Sequence, residues 1–298
     1  MSVTTPPDSS LAGVLHDRVL RWYDGHARDL PWRAPDATPW GVLVSEAMLQ
    51  QTPVARVLPV WLSWMERWPA PADLVAAGAG DAVRAWGRLG YPRRALRLHA
   101  AATAIVQRHD GEVPDDHAAL RALPGVGDYT ASAVASFAFG RRHAVLDTNV
   151  RRVLGRVVGG EPLPGPSVTR GERERAATLL PVEPATAAAW AVGVMELGAL
   201  VCRATGPRCE ECPVSDLCRW RADGRRPDTR LRRTQGYAGT DRQVRGRLLA
   251  VVRDSCGPVH GSALEAAWGE PVQRERCLAT LLEDGLVVSP ADGVYTLP

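Results

Sequence analysis

Apolar residues recur at helical rather than strand spacing over most of the 298-residue chain, and this regularity restricts what it can fold into. Leu11, Leu15, Val19 and Trp22 fall on one helical face. Val44–Trp68 reads as helix, with Pro53 and Pro59 expected to break or kink it. Trp86–Gln107 and Arg121–Phe139 are further helices, the second interrupted by Leu123-Pro124-Gly125-Val126-Gly127. Val150–Val158, Thr169–Leu180 and Thr186–Val201 continue the pattern. No strand-rich block precedes residue 250, and no internal repeat is evident. Residues 221–240, RADGRRPDTRLRRTQGYAGT, read as a basic linker. Helices follow at Asp241–Ser255, Ser262–Trp268 and Val272–Asp284, then two short strands around Asp292-Gly293. The fold class expected is all-α over residues 1–220, with a small winged-helix-like α+β domain over 241–298.

Four of the six cysteines crowd into CRATGPRCEECPVSDLC as Cys202, Cys209, Cys212 and Cys218. No apolar run reaches the ~20 residues of a membrane span, and the first residues lack a signal-peptide pattern. A cytoplasmic protein is expected, and in that compartment clustered thiols bind metal rather than pair. A [4Fe–4S] cluster and a closed zinc site both take four thiolates. Zinc folds more often show two C-x2-C pairs, and one is present. Cys256 and Cys277 lie outside the pattern and are expected to be buried structural thiols.

The net charge is +3, and all 36 basic residues are arginine. Without lysine, no side chain can form a Schiff base. Arg219, Arg221, Arg225, Arg226, Arg230, Arg232, Arg233, Arg242, Arg245 and Arg247 crowd one stretch. Such a stripe is either a solvated linker or a phosphate-binding surface.

LPGVGDYTA, Leu123–Ala131, has the pattern of a helix-hairpin-helix. Gly125 and Gly127 let the backbone turn tightly around Val126, and the free N–H groups of the following helix can hold a DNA phosphate. The alternative is an ordinary glycine-rich turn. In AVLDTNV, Asp147 stands before a helix, where the default role is an N-cap. In VSEAMLQQT, Glu46 is surrounded by Val42, Leu43, Val44, Ala47, Met48 and Leu49, with Gln50 and Gln51 one turn on. A lone helical glutamate is by default on a solvated face; one buried among apolar groups titrates high and can act as an acid. Two carboxylates in contrasting environments are what glycosidic cleavage needs.

RDLPWR, VSEAMLQQT, GRLGY, LPGVGDYTA, LDTNV and the cysteine spacing occur in one order between Arg28 and Cys218. In this the chain resembles the helix-hairpin-helix DNA glycosylases of the endonuclease III superfamily and, within them, the MutY-type adenine glycosylases. The resemblance implies a central six-helix barrel module over about residues 41–145 and a module that holds a [4Fe–4S] cluster on Cys202, Cys209, Cys212 and Cys218, the N-terminal helix packing with the latter. It implies a monofunctional enzyme, because Tyr129 stands where bifunctional members carry lysine. It implies excision of adenine opposite 8-oxoguanine or guanine in double-stranded DNA, by a monomer. Glu46 would be the acid, with Asp147 supporting the cationic sugar beside Tyr129 and Asn149. Arg28, Leu30, Trp32 and Arg33 match the adenine-pocket segment. Gln50, Gln51, Thr52, Leu89 and Tyr91 would contact the substrate, the last four matching residues that wedge the duplex and meet the opposite base. Three departures stand out: Val192 replaces a polar pocket residue, Thr148 replaces a common glycine, and Pro92 replaces a second tyrosine. The 58 residues from 241 to 298 are too few for the family's Nudix-like C-terminal domain. The competing expectations are a thymine or uracil mismatch glycosylase on the same scaffold, and a non-catalytic Fe–S winged-helix DNA-binding protein.

Overall fold

A computed structural model describes residues 9–228 and 236–298. Arg230, Arg232 and Arg233 of the basic stripe lie outside the described residues.

The helices run in chain order as α1 (Ser9–His26), α2 (Pro39–Leu49), α3 (Val54–Arg67), α4 (Pro71–Ala77), α5 (Ala79–Trp86), α6 (Arg93–Arg108), α7 (His117–Arg121) and α8 (Asp128–Phe139). They continue as α9 (Thr148–Leu154), α10 (Arg170–Thr178), α11 (Pro184–Leu200), α12 (Arg219–Ala222), α13 (Asp241–Asp254), α14 (Gly261–Ala267) and α15 (Pro271–Glu283). The expected Val44–Trp68 helix is two helices, since Pro53 precedes α3 and cannot donate into a continuous ladder. Pro59 does not break α3, which runs through it. The expected Trp86–Gln107 helix is also interrupted. Gly87 (φ 57°), Gly90 (φ 87°) and Tyr91 (φ 48°) take left-handed backbone, and Pro92 then sets the entry to α6.

The described residues divide into two compact units, each assembled from separated stretches of chain. The first draws on those within Met1–Val42, Asp115–Arg121 and Gly127–Leu231. There α11 packs against α1, α8 and α9. Leu15, Val19, Val153, Leu154, Trp190, Val194 and Leu197 form its core. Each such side chain contributes roughly 1.5–3 kcal/mol on burial. An apolar stripe alone would suit a surface helix, whereas α11 is apolar on nearly every face because it is packed on several sides.

The second unit draws on residues within Leu43–Pro114, Ala122–Val126 and Arg232–Pro298. Trp64 packs edge-on against Trp68 and Trp86, with centroids 4.9 and 5.7 Å apart. The C-terminal segment has the winged-helix order α13, β1 (Val259–His260), α14, α15, β2 (Val288–Ala291), β3 (Val294–Thr296). Its antiparallel sheet has the order β1-β3-β2, so the expected hairpin gains a third strand too short to be read from a pattern. This segment is built onto the helices of its unit. Arg253 donates to the Gly87 carbonyl at 2.8 Å, and Arg84 to the carbonyls of Ser255 (2.7 Å) and Arg253. Asp284 takes Arg93 at 3.2 Å and Arg245 at 2.6 Å. A side chain on Gly80 would collide with the Pro298 carbonyl.

Candidate active site

In the first unit two of the sequence-predicted site residues, Asp147 and Asn149, meet at the N-terminus of α9. Asp147 caps that helix: Val150 N–H donates to Oδ1 at 2.6 Å and Asn149 Nδ2 to Oδ2 at 2.6 Å. The N-cap reading of Asp147 is therefore correct, and it leaves both oxygens with spare lone pairs. The residue keeps partial exposure. Burial of its carboxyl nevertheless pushes the pKa up, against the lowering effect of Val150, Asn149 and Arg152.

Asn149 is itself held. Arg152, buried in α9, donates to Asn149 Oδ1 at 2.7 Å, to the Gly198 carbonyl at 2.7 Å and to the Cys202 carbonyl at 2.6 Å. The chain of contacts thus runs from the first clustered cysteine to Asp147. Gly198 lets α11 approach: a Cβ there would lie 2.7 Å from Asn149 Cβ and 2.9 Å from its carbonyl oxygen. Neither Arg152 nor Gly198 stands out in the sequence, since their partners are remote in it. Thr148 opens α9 without distorting the cap. Tyr129, in the first turn of α8, is half-buried against Ala133, Val145 and Ala191.

The RDLPWR segment also lies in the first unit, where Leu30 and Trp32 are buried. Arg28 and Arg33 are not free to reach a base. Arg28 grips Glu196 of α11 at 2.6 and 2.8 Å, and Arg33 reaches the same carboxylate at 2.9 Å. Burial alone would raise the Glu196 pKa, but the two guanidiniums outweigh it and hold the carboxyl below its usual range. Glu196 is fully buried and was missed in the sequence, where it reads as one more residue of an apolar helix. The half-buried Val192 lies one turn before it.

Glu46 belongs to the second unit. It is buried at 5% exposure, beside Leu43, Val44 and Met48, so the solvated-face reading does not hold. Its helix ends on Arg94, also missed. That buried guanidinium donates to the carbonyls of Ala47 (2.9 Å), Met48 (3.1 Å), Gln50 (2.6 Å) and Gly90 (3.0 Å) and to Thr52 Oγ1 (3.1 Å). A cation on the last carbonyls of a helix satisfies orphan acceptors and suits the dipole. Burial lowers the Arg94 pKa, yet a guanidinium stays charged.

The four residues expected at the wedge divide. Thr52 and Leu89 are buried, because Thr52 Oγ1 bridges Arg94 and the Leu89 carbonyl (3.4 Å) from inside. Gln51 and Tyr91 are exposed and joined, Tyr91 Oη donating to Gln51 Oε1 at 2.8 Å. Gln51 (φ 56°) and Tyr91 (φ 48°) both hold left-handed backbone, which costs on the order of 1 kcal/mol or more each. In the hairpin turn Gly125 has φ 77°, and a Cβ there would lie 2.6 Å from Arg97 Cβ. Val126 N–H closes the turn on Leu123 O at 3.1 Å, and Gly127 caps α8.

Cys202, Cys209, Cys212 and Cys218 line one recess with Val153, Leu197 and Trp220, and all four are partly buried. Arg156 approaches Cys202 Sγ at 3.3 Å and stacks on Trp220 at 4.3 Å. Burial pushes the Cys212 thiol up to about 12. Among the described residues no three side chains close on one point as a single metal ion requires. A [4Fe–4S] cluster takes four cysteine thiolates. Cys277 is buried as expected. Cys256 is not: it follows α13 in an exposed turn. Much of the basic stripe is paired, Arg221 and Arg225 with Glu210 and Arg245 with Asp284.

Residues 44–177 match the HhH-GPD superfamily of base excision DNA repair proteins. The chain is 52% identical to an adenine DNA glycosylase of Mycolicibacterium smegmatis over 94% of each chain. The chain belongs to the adenine DNA glycosylase family. It is also 51% identical to the adenine DNA glycosylase of Mycobacterium tuberculosis strain H37Rv, over 98% of its own length and 97% of that relative's. These family relatives match the C-terminal segment as well as the helical body. Among solved structures, a thermostable thymine-DNA glycosylase superposes with a TM-score of 0.64 at 27% identity, covering 72% of this chain and all of that one. No helix among the described residues is long and apolar enough to cross a membrane.

Proposed function

We propose that this adenine DNA glycosylase is monofunctional and releases adenine mispaired with 8-oxoguanine or guanine in double-stranded DNA. The observation that carries the reading is Asp147, a carboxylate fixed by two hydrogen bonds at a helix N-terminus and braced through Asn149 and Arg152. A carboxylate so held can support positive charge on a sugar without reorganising. The hairpin at Gly125–Gly127 grips a phosphate, and adenine leaves the stack at a cost of a few kcal/mol. Glu46 protonates N7, so the base departs neutral. Asp147 stabilises the oxocarbenium-like sugar, with Tyr129 and Asn149 around it. Water completes hydrolysis with Glu46 as base, leaving an abasic site. No lysine is present to attack the sugar and cut the strand. In the adenine pocket Leu30 and Trp32 supply the walls, and Arg28 and Arg33 act through Glu196 rather than on the base.

The four thiols of Cys202, Cys209, Cys212 and Cys218, which share one recess, suit a [4Fe–4S] cluster, with Arg156 balancing thiolate charge. When bound, such a cluster pins the cysteine loop, and Arg203 and Arg208 within that loop suit phosphate contact. Equimolar iron and acid-labile sulfide in the purified protein would support it; zinc in their place would overturn it.

The decisive assay incubates the protein with duplexes carrying A opposite 8-oxoguanine, A opposite G, T opposite G and U opposite G. Hot alkali reveals abasic sites, and an untreated sample reveals direct strand cutting. Cleavage only after alkali and only at adenine is expected, abolished in Glu46→Gln. Release of thymine or uracil would refute the adenine reading. No release from any duplex would favour a binding protein.

A further inference from the structure

Arg242, in the first turn of α13, is exposed, and among the described residues no carboxylate pairs with it. Its guanidinium instead lies over two aromatic rings, 5.5 Å from the centroid of Tyr91 and 5.8 Å from that of Tyr237. Both tyrosines are themselves exposed, at 48% and 56%. A stacked guanidinium keeps its N–H edge open to an anion. Its place is not accidental to a loose tail. Three residues on, Arg245 shares Asp284 with Arg93 at the start of α6, and Arg253 at the other end of α13 holds Gly87. The C-terminal segment therefore delivers a cation to the exposed, left-handed Gln51–Tyr91 pair.

We propose that Arg242 is a DNA phosphate contact, brought by the C-terminal segment to the strand that carries the base opposite adenine. The proposal rests on the reading of Gln51 and Tyr91 as the residues that meet that base. Charges along one strand recur about every 3.4 Å of rise and a touching base adds about 3.5–4.0 Å, so a guanidinium 5.5 Å from Tyr91 lies within about three nucleotides of any base the tyrosine touches. The Tyr91–Arg242–Tyr237 stack orients the fork toward that strand. On this view the segment takes over, by a backbone contact, part of the grip on the opposite strand.

The test uses the full-length, cluster-replete protein and two duplexes, one undamaged and one with 2′-fluoroadenosine opposite 8-oxoguanine. Dissociation constants are measured across a salt series for wild type, Arg242→Ala, Arg242→Lys and, as an equal-charge control on the same helix, Arg247→Ala. Arg247 stacks on Trp268, away from Tyr91. Arg242→Ala is expected to flatten the slope of log Kd against log salt by about 0.9 and weaken binding roughly tenfold at moderate salt. Arg242→Lys should keep the slope and recover part of the affinity. A wild-type slope in Arg242→Ala would overturn the proposal, and so would an equal loss in Arg247→Ala. Thermal melts separate these outcomes from misfolding. If the wild type released no adenine, the proposed function would fail while the salt series on undamaged duplex still read Arg242.

Discussion

Replacing Gly198 by alanine adds one methyl group where α11 crosses the start of α9. The new Cβ would stand 2.7 Å from Asn149 Cβ and 2.9 Å from the Asn149 carbonyl oxygen. Ordinary carbon–carbon contact needs about 3.5–4.0 Å. The first turn of α9 must therefore retreat by roughly 1 Å, carrying Asn149 and with it the hydrogen bond that orients Asp147. Overpacking of this kind costs about 1–3 kcal/mol, of which alanine's better helix propensity returns roughly 1 kcal/mol. Folding should thus suffer little, by about 0–2 kcal/mol. Catalysis should suffer more, because a 1 Å misplacement of a catalytic group can cost about a hundredfold. Single-turnover adenine release from an A:8-oxoguanine duplex is expected to fall about 10- to 100-fold, with a drop in melting temperature of only a few degrees. Gly193→Ala on the same helix is the control. Its Cβ would meet only the side chains of Val19 at 3.3 Å and Tyr23 at 3.4 Å. A Gly198→Ala rate within twofold of wild type would refute the bracing of Asp147 through Asn149.

Three further outcomes are expected. Arg94→Gln strips the end of α2 of a buried donor serving five acceptors, and should destabilise by about 3 kcal/mol and lower the melting midpoint by roughly 6–12 °C; an unchanged midpoint would mean water replaces it. Asp147→Asn should abolish adenine release yet raise thermal stability at neutral pH. Burial raises the folded-state pKa of Asp147, so the wild type loses stability from this group as pH rises from the ordinary aspartate range through the raised value; the gain in the variant should shrink as pH falls, and a pH-independent gap would sink the account. Glu196→Gln leaves Arg28 and Arg33 without a counter-ion. Because the folded-state pKa of Glu196 is depressed, the stability it confers is present above the ordinary glutamate range and lost as pH falls through the lower value. The melting-temperature gap between wild type and variant should therefore close in acid, and a gap that widens there would refute the pairing.

Local patterns carried a good part of this protein. Apolar spacing located α1 and α11, proline and glycine marked the turns at Pro53 and Gly125, and Asp147 was readable as a cap because its partner Val150 is three residues away. The cysteine spacing marked one loop, and its four thiols do share a recess. The interruption at Gly87–Pro92 was missed although Pro92 is a strong breaker, because Gly87 and Gly90 are each tolerated singly within a helix; together with Pro92 and the left-handed Tyr91 they turn the chain. Cys256 was misjudged because thiol burial depends on what packs over it, and the turn after α13 leaves it exposed.

The residues that sequence alone could not assign share one property: their partners are far along the chain. Glu196 meets Arg28 across 168 positions, Arg152 meets Cys202 across 50, and Arg94 meets Ala47 across 47. An arginine or glutamate in a helix carries no local mark that distinguishes a solvated face from a buried bridge. That distinction appears only when packing removes water and leaves the charge to find a partner. Sequence by itself determined the helical class, the cap, the turns and the set of candidate groups, because each follows from periodicity or short-range backbone geometry. Tertiary structure decided which arginines are spent on protein groups, and that the C-terminal segment is fastened beside Tyr91, because those outcomes depend on which surfaces lose water together.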